Sequence, residues 1–219
     1  MRRELDLTVY LVLDPDLCGG IDGMCRVTES ALEGGVTLVQ LRAPQWKKRQ
    51  WVDAARALLP LCRCANVPLL INDQVDVALA VDADGVHVGQ QDLPAAEARR
   101  LLGPSRIVGL SASNAAQLAA VDAGVVDYVG VGPVYPTGTK PDASPVIGLA
   151  GFGELMRQKT LPAVAIGGIG PANAAAVYAA GADGIAVVSA ICAAADPRAA
   201  AAALRALSHV SATPSASES

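Results

Sequence analysis

Asp127-Tyr-Val-Gly-Val-Gly-Pro-Val-Tyr-Pro-Thr-Gly-Thr-Lys140 reads as one short apolar strand running straight into a loop rich in glycine and proline. The strand part, Tyr128–Val131, has no polar face, which is what a strand covered on both sides requires. The loop part brings Gly132, Gly138, the Thr137 and Thr139 hydroxyls and the Lys140 ammonium to the strand's end. Freed backbone N–H groups, hydroxyls and a cation converging on one point make an anion cradle. A solvated connection between strand and helix would draw on the same residue types.

Outward from this stretch the same kind of run recurs. Val9–Leu13, Thr37–Leu41, Pro68–Ile71, Val86–Val88, Ile107–Leu110, Ala163–Ile166 and Ile185–Val188 join Tyr128–Val131 to make eight. Trp46–Cys64, Ala95–Leu102, Asn114–Asp122 and Ala172–Ala180 lie between them with helical spacing and good helix formers. Asp84, Asp127 and Asp183 each stand just ahead of a strand, the trace that stacked βα units leave. Pro94, Pro171 and Pro197 fall where the first turn of a helix tolerates a missing N–H, and Asp196 is placed to cap the last helix. Equally buried strands without a dinucleotide fingerprint predict an α/β fold, a single-domain (β/α)8 TIM barrel over residues 1–207. An open flavodoxin-like sheet is the second choice. Residues 208–219, rich in Ser, Ala and Thr, have too little apolar content to pack and are expected to form a disordered tail.

Composition agrees with one large aliphatic core. The chain has 219 residues, 52% of them hydrophobic and only 3% aromatic, and such a barrel needs about 200–250 residues. A net charge of −4 without a Lys/Arg run argues against nucleic acid or an anionic membrane as partner. Cys18, Cys25, Cys62, Cys64 and Cys192 are odd in number and lack paired zinc spacing, so buried or idle thiols are expected. The N-terminus lacks a signal-type apolar region, and no apolar run approaches a membrane span. A soluble, cytoplasmic protein is the expectation.

In a barrel, the polar residues at the C-terminal ends of the strands face the active site. Strand 2 supplies Gln40 and Arg42, strand 3 Asn72 and Asp73, strand 4 His87 and, beyond it, Asp92, and strand 5 Ser111. Strand 6 leads to Thr137, Thr139 and Lys140, strand 7 to Gly167-Gly168, and strand 8 to Val188-Ser189. Asp73 and Asp92, from neighbouring loops, suit Mg2+, which takes hard oxygen ligands and bridges to phosphates. Taken singly, Asp73 could instead cap a helix and Asp92 could be a solvated loop residue. Arg42 suits phosphate oxygens bidentately, with a surface ion pair as the alternative. His87, within an apolar strand, is read as lining the site without transferring protons; a core imidazole bonded to a backbone carbonyl competes with that reading. Gly168 and the Val188-Ser189 backbone match the phosphate grip that barrels build after strands 7 and 8. Two anion sites predict two phosphorylated substrates and group transfer with departure of pyrophosphate.

Gly35-Val-Thr-Leu-Val-Gln-Leu-Arg42, Ile71-Asn-Asp73, Gly85-Val-His-Val-Gly-Gln-Gln-Asp92, Gly109-Leu-Ser111, the Thr137–Lys140 loop and Ala165-Ile-Gly-Gly-Ile169 together resemble the thiamine-phosphate synthase family from Tyr10 to about Ala190. The resemblance implies that hydroxymethylpyrimidine pyrophosphate loses pyrophosphate with Mg2+ help and that hydroxyethylthiazole phosphate captures the remaining cation. It also implies roles. Gln40, Arg42, Asn72, Ser111 and Lys140 would hold the pyrimidine pyrophosphate, with Arg42, Ser111 and Lys140 as the catalytic set. Asp73 and Asp92 would hold Mg2+; Thr137, Thr139, Gly168, Val188 and Ser189 would hold the thiazole phosphate. The partners implied are small molecules, and a homo-oligomer is compatible with them. One position departs: where the family usually has a lysine two residues after the strand 2 arginine, Pro44 stands, and Lys47 or Lys48 is the nearest substitute. The related thiazole tautomerases, or a barrel that only binds phosphorylated thiazole, are the alternative functions.

Overall fold

The computed structural model describes residues 5–138 and 144–208. Eight parallel strands close in chain order into a barrel: β1 Val9–Leu13, β2 Leu38–Leu41, β3 Leu69–Asn72, β4 Gly85–Val88, β5 Ile107–Ala112, β6 Tyr128–Val131, β7 Ala163–Ile166 and β8 Gly184–Val187. β8 pairs back onto β1, with Val9 opposite Ile185, so the sheet has no edge and the open-sheet alternative is excluded. The helices are α1 Pro15–Cys18, α2 Gly20–Glu33, α3 Lys48–Cys64, α4 Val75–Val81, α5 Ala95–Leu102, α6 Ala115–Ala119, α7 Gly148–Met156, α8 Ala174–Ala179, α9 Ser189–Cys192 and α10 Pro197–Ser208.

Every expected strand is present, its ends moved by no more than a residue or two. The helices differ more. α5 starts and stops as the sequence indicates, and Asp196 Oδ1 caps α10 by accepting the Ala199 N–H at 3.0 Å. Pro171, however, precedes α8 by a turn. Asn173 Oδ1 takes the Gly170 N–H at 2.9 Å and delays the helix until Ala174. Five helices, α1, α2, α4, α7 and α9, have no counterpart among the expected helical stretches; glycines at the starts of α2 and α7 interrupt the helical pattern, and α1 and α9 are four residues each, too short to show one. Ser208, assigned to the tail, is instead the last residue of α10, and residues 209–219 lie outside the described residues.

Strand alternation divides the apolar residues into two cores. Tyr10, Leu38, Leu70, Ile107, Tyr128 and Val164 form one cluster and fill the barrel, since Tyr10 on β1 and Tyr128 on β6 can touch only through its interior. Their neighbours in sequence, such as Leu11, Val39, Ile71 and Val129, belong to a larger cluster between strands and helices. Both faces of each strand are buried, which accounts for runs without polar alternation.

At the N-terminal end of the barrel one polar device occurs four times. The Asp84 N–H donates to Leu69 O at 3.1 Å while Asp84 Oδ2 accepts the Leu69 N–H at 2.9 Å. Asp127 clasps Val108 in the same way, at 2.8 Å for both bonds, and Asp183 clasps Ala163 at 2.9 and 2.7 Å. Thr37 does so with its hydroxyl, giving its N–H to Val9 O at 2.9 Å and taking the Val9 N–H at 3.1 Å. The repeated Asp before a strand is thus a clasp that satisfies an N–H in the first two residues of the strand before it, which would otherwise be an unpaired buried donor.

All five cysteines are free thiols. Cys62 and Cys192 are buried, as expected, but Cys64 is exposed on the last turn of α3. Burial, followed by the Asp84 charge, pushes the Cys62 thiol up to about 12. Because thiolate is the reactive form, a disulfide reagent at pH 8 is expected to label Cys64 and to leave Cys62 unmodified until the chain unfolds; peptide mapping of the labelled protein reads this directly. Among the described residues no helix is long and apolar enough to cross a membrane.

Candidate active site

The C-terminal end of the barrel rests on a buried chain of hydrogen bonds. Gln40 Nε2 donates to Tyr10 Oη, Tyr10 Oη meets Tyr128 Oη at 2.9 Å, and Tyr128 Oη meets His87 Nδ1 at 2.8 Å. His87 Nε2 then meets Ser111 Oγ at 2.9 Å. The five residues come from β2, β1, β6, β4 and β5, so the chain crosses the barrel beneath its open end. Burial holds both phenols well above their ordinary range, and each therefore keeps its proton. His87 is a core imidazole whose ring nitrogens meet side-chain hydroxyls, where a backbone carbonyl was the expected competitor. Space for the rings comes from Gly109: a Cβ there would lie 2.5 Å from His87 Nδ1 and closer still to the Tyr128 ring.

Above this floor, strands 2 to 4 present the expected polar residues on one side. Arg42, half-buried, lines a cavity of about 180 Å³ with Asp14, Asp16, Pro44 and Trp46. Among the described residues Arg42 has no ion-pair partner. Asn72 Nδ2 donates to Asp73 Oδ2 at 2.5 Å. Asp73 has a positive φ of 58° and precedes the actual N-cap of α4, Gln74, so it is not the cap. Asp92 is exposed, and its Oδ2 accepts the Gly89 N–H at 2.9 Å, which folds the loop after β4 back on itself. Gln90 Nε2 ties that loop to Ser111 O at 2.6 Å. No group of three His, Cys, Asp or Glu side chains gathers among the described residues.

Loops 6 to 8 build the other side. The Val134 and Tyr135 N–H groups donate to Ile166 O and Gly167 O at 2.9 and 3.0 Å, extending β-type pairing beyond the strands. Gly168, with φ 62°, sits where a Cβ would lie 2.5 Å from Pro136 O, so only glycine lets the two loops meet. Asn173 Nδ2 donates to Gly168 O at 2.9 Å and fixes the turn. Gly168, Gly170, Asn173, Ser189 and Ala190 line a cavity of about 380 Å³. Ser189 opens α9, the short extra helix whose first N–H groups point toward an anion in many barrels. Thr137 is half-buried near this cavity's loop, whereas Thr139 and Lys140 lie outside the described residues.

Gln40, Asn72, His87 and Ser111 thus join the floor or the rim as read from sequence, and Arg42, Gly168, Val188 and Ser189 stand at strand ends as expected. Of Lys47 and Lys48, the nearest cations to Pro44, Lys48 has its exposed ammonium paired with Asp76 on α4 at 2.7 Å. Tyr10, Tyr128 and Asn173 were not read as site residues. Their only sequence signal is position, since Tyr10 and Tyr128 fall on the inward alternation of β1 and β6 and Asn173 lies three residues after Gly170.

With the geometry in place, comparison with known proteins is direct. The family model described as thiamine monophosphate synthase matches residues 9–191. A thiamine-phosphate synthase of Laribacter hongkongensis is 65% identical over 199 residues, covering 91% of this chain and 94% of the relative. One from Xanthobacter autotrophicus is 53% identical over 206 residues, covering 94% and 97%. The solved structure of a thiamine phosphate pyrophosphorylase from Pyrococcus furiosus superposes with a TM-score of 0.84 at 35% identity, covering 95% of this chain and 98% of the other. A matched model over most of the barrel and relatives this close leave one conclusion: the chain belongs to the thiamine monophosphate synthase family.

Proposed function

We propose that this barrel is a transferase that joins hydroxymethylpyrimidine pyrophosphate to hydroxyethylthiazole phosphate, giving thiamine phosphate and pyrophosphate. The observation that carries the reading is the pair of separate cavities on one rim, one against Arg42 and the other against Gly168 and Ser189. Two phosphorylated substrates need two anion sites, and their reacting ends then meet over the floor between them. The five free thiols fit a reducing cytoplasm.

In this reading the bond from the pyrimidine methylene carbon to the pyrophosphate oxygen breaks, and its electron pair leaves with the pyrophosphate. The thiazole nitrogen then gives its lone pair to that carbon. Arg42, Lys140 and the Ser111 hydroxyl stabilise the charge that develops on the leaving oxygens. The loop 7 and 8 backbone holds the thiazole phosphate so that its nitrogen faces the carbon, which converts a bimolecular encounter into a positioned one. Asp73 and Asp92, two hard carboxylates from adjacent loops, would hold Mg2+. When bound, the ion would neutralise pyrophosphate charge. Pro44 removes one expected cation, which leaves Arg42 and Lys140 as the strand-end cations that face the leaving group in this reading.

Pyrophosphate release from purified protein given both precursors tests the reading. Release is expected to need both precursors and to disappear with EDTA or in Asp92→Ala, while Lys140→Ala lowers kcat about 10²-fold with an unchanged unfolding midpoint. Binding of both precursors without release would overturn it.

A further inference from the structure

Three successive carbonyls at the end of β7 are each tied to a donor. Ile166 O accepts the Val134 N–H at 2.9 Å, Gly167 O the Tyr135 N–H at 3.0 Å, and Gly168 O an Asn173 Nδ2–H at 2.9 Å. A trans peptide points its N–H away from its C=O, and the cis bond among the described residues is elsewhere, at Gly132–Pro133. Tyr135 holds Gly167 O on the side of loop 6, and β7 lies between β6 and β8. The Gly168 N–H is therefore turned toward β8, where Ser189 and Ala190 form the far wall of the cavity of about 380 Å³. Asn173 sets the next peptide in the same way: with Gly168 O drawn to its amide, the Ile169 N–H lies on the opposite side of the plane. Among the described residues neither N–H has an acceptor. Ile169 is nevertheless 7% exposed and lines the cavity, so its N–H is a donor in want of a partner.

The first two of these locks are backbone groups, but the third is a side chain, so one substitution removes it. Asn173 Oδ1 accepts the Gly170 N–H at 2.9 Å, which leaves Nδ2 facing Gly168 O. The pair of bonds needs an acceptor and a donor on one planar group; aspartate offers acceptors alone and leucine offers neither. Gly168, with φ 62°, has no side chain to restrain the peptide that follows it. A full reversal of that peptide would force a positive φ on Ile169, which is β-branched. Without the amide the plane thus tilts instead of flipping, and the Ile169 N–H loses its aim.

We propose that Asn173 is a positioning residue for the thiazole phosphate: by holding Gly168 O aside it aims the Ile169 N–H at the phosphate and keeps a carbonyl lone pair from facing that charge. The inference rests on the reading that an anion occupies this cavity, and it adds which side chain aims the donor.

Backbone amide NMR with inorganic phosphate as the probe tests it. In the wild type, phosphate is expected to shift the Gly168 and Ile169 amide protons through charge-assisted hydrogen bonds. In Asn173→Leu at saturating phosphate the Gly168 signal should still respond, being set by Tyr135, and the Ile169 signal should not. Phosphate affinity is expected to fall about tenfold, as for one lost hydrogen bond to a charged group. KM for the thiazole phosphate should rise by a similar factor while KM for the pyrimidine pyrophosphate stays unchanged. Asn173→Asp retains the Gly170 bond and the start of α8, so it should keep the wild-type unfolding midpoint and still lose the Ile169 response. An Ile169 amide that responds at saturation in both variants would overturn the proposal, whether the weakening comes from a carboxylate repelling the phosphate or from a general loss of structure. A rise in both KM values together would overturn it as well. Failure of either amide to respond in the wild type would instead remove the anion site on which the proposed function stands.

Discussion

Replacing Arg99 with methionine is expected to lower the free energy of unfolding by about 3–5 kcal/mol, the cost of stripping one partner from a buried ion pair. The guanidinium of Arg99, on α5, lies 2.6 Å from Asp127 Oδ2, and the two side chains are only 14% and 15% exposed. Its other N–H groups donate to Val125 O and Gly103 O at 2.9 Å and to Arg106 O at 2.5 Å. One side chain thus gathers α5, the loop ahead of β5 and the loop ahead of β6. Methionine fills much of the volume but leaves Asp127 without its cation and three carbonyls without their donor. The surface pair Arg100 with Glu97, 69% and 48% exposed, sets the contrast: Arg100→Met should cost under about 1 kcal/mol. Urea unfolding of the two variants side by side checks the difference, and equal midpoints would contradict it.

Gly109→Ala is expected to cost about 4 kcal/mol and to remove activity together with stability. The added methyl would lie 2.5 Å from His87 Nδ1 and within the contact distance of the Tyr128 ring. Neither ring has room to retreat, because Tyr128 is fully buried and packs edge-on against Tyr10 at a centroid distance of 5.9 Å. Overpacking of this kind costs about 1–3 kcal/mol, and pulling Tyr128 off His87 leaves buried polar atoms unpaired at about 1–3 kcal/mol more. Gly151→Ala, on α7, is the control, since a Cβ there meets only Ile147 Cβ at an ordinary 3.8 Å. Chemical denaturation and pyrophosphate release on both variants test the claim; a folded, fully active Gly109→Ala would refute it.

The barrel was legible in the sequence because burial on both faces leaves strands such as Leu69–Ile71 and Ala163–Ile166 without polar alternation, and Gly/Pro-rich loops mark where they end. The strand-end residues Arg42, Asn72, Asp73 and Ser111 are legible for a second reason: a charged, amide or hydroxyl group at the end of an apolar run has no apolar packing use there. Tyr10 and Tyr128 carried no such mark. In a strand a tyrosine reads as an apolar strand former, and its hydroxyl acquires meaning only from β1 and β6 facing each other across the barrel. The short helices were missed because four residues, as in Pro15–Cys18 or Ser189–Cys192, are too few to display a 3.6 period. Lys47 and Lys48 are the cations the sequence places near Pro44, and the pairing of Lys48 with Asp76 depends on how α3 and α4 pack, which no spacing records.

The four clasps at the foot of the barrel join β1 to β2, β3 to β4, β5 to β6 and β7 to β8 through Thr37, Asp84, Asp127 and Asp183, and among the described residues no clasp of this kind joins β2 to β3, β4 to β5, β6 to β7 or β8 to β1. At this end of the barrel the strands are in this sense four stapled pairs, or double units, and the contacts between pairs are of other kinds, such as the Arg106–Asp82 ion pair at 2.6 Å and, nearer the rim, the His87–Ser111 hydrogen bond at 2.9 Å. The chain can therefore be opened at a junction between double units, after β2 or β4 or β6, without severing a staple, whereas a break inside a unit cuts one. Modularity of this kind lies entirely at the end away from the rim, so the order in which the units are joined is independent of the residues that line the site.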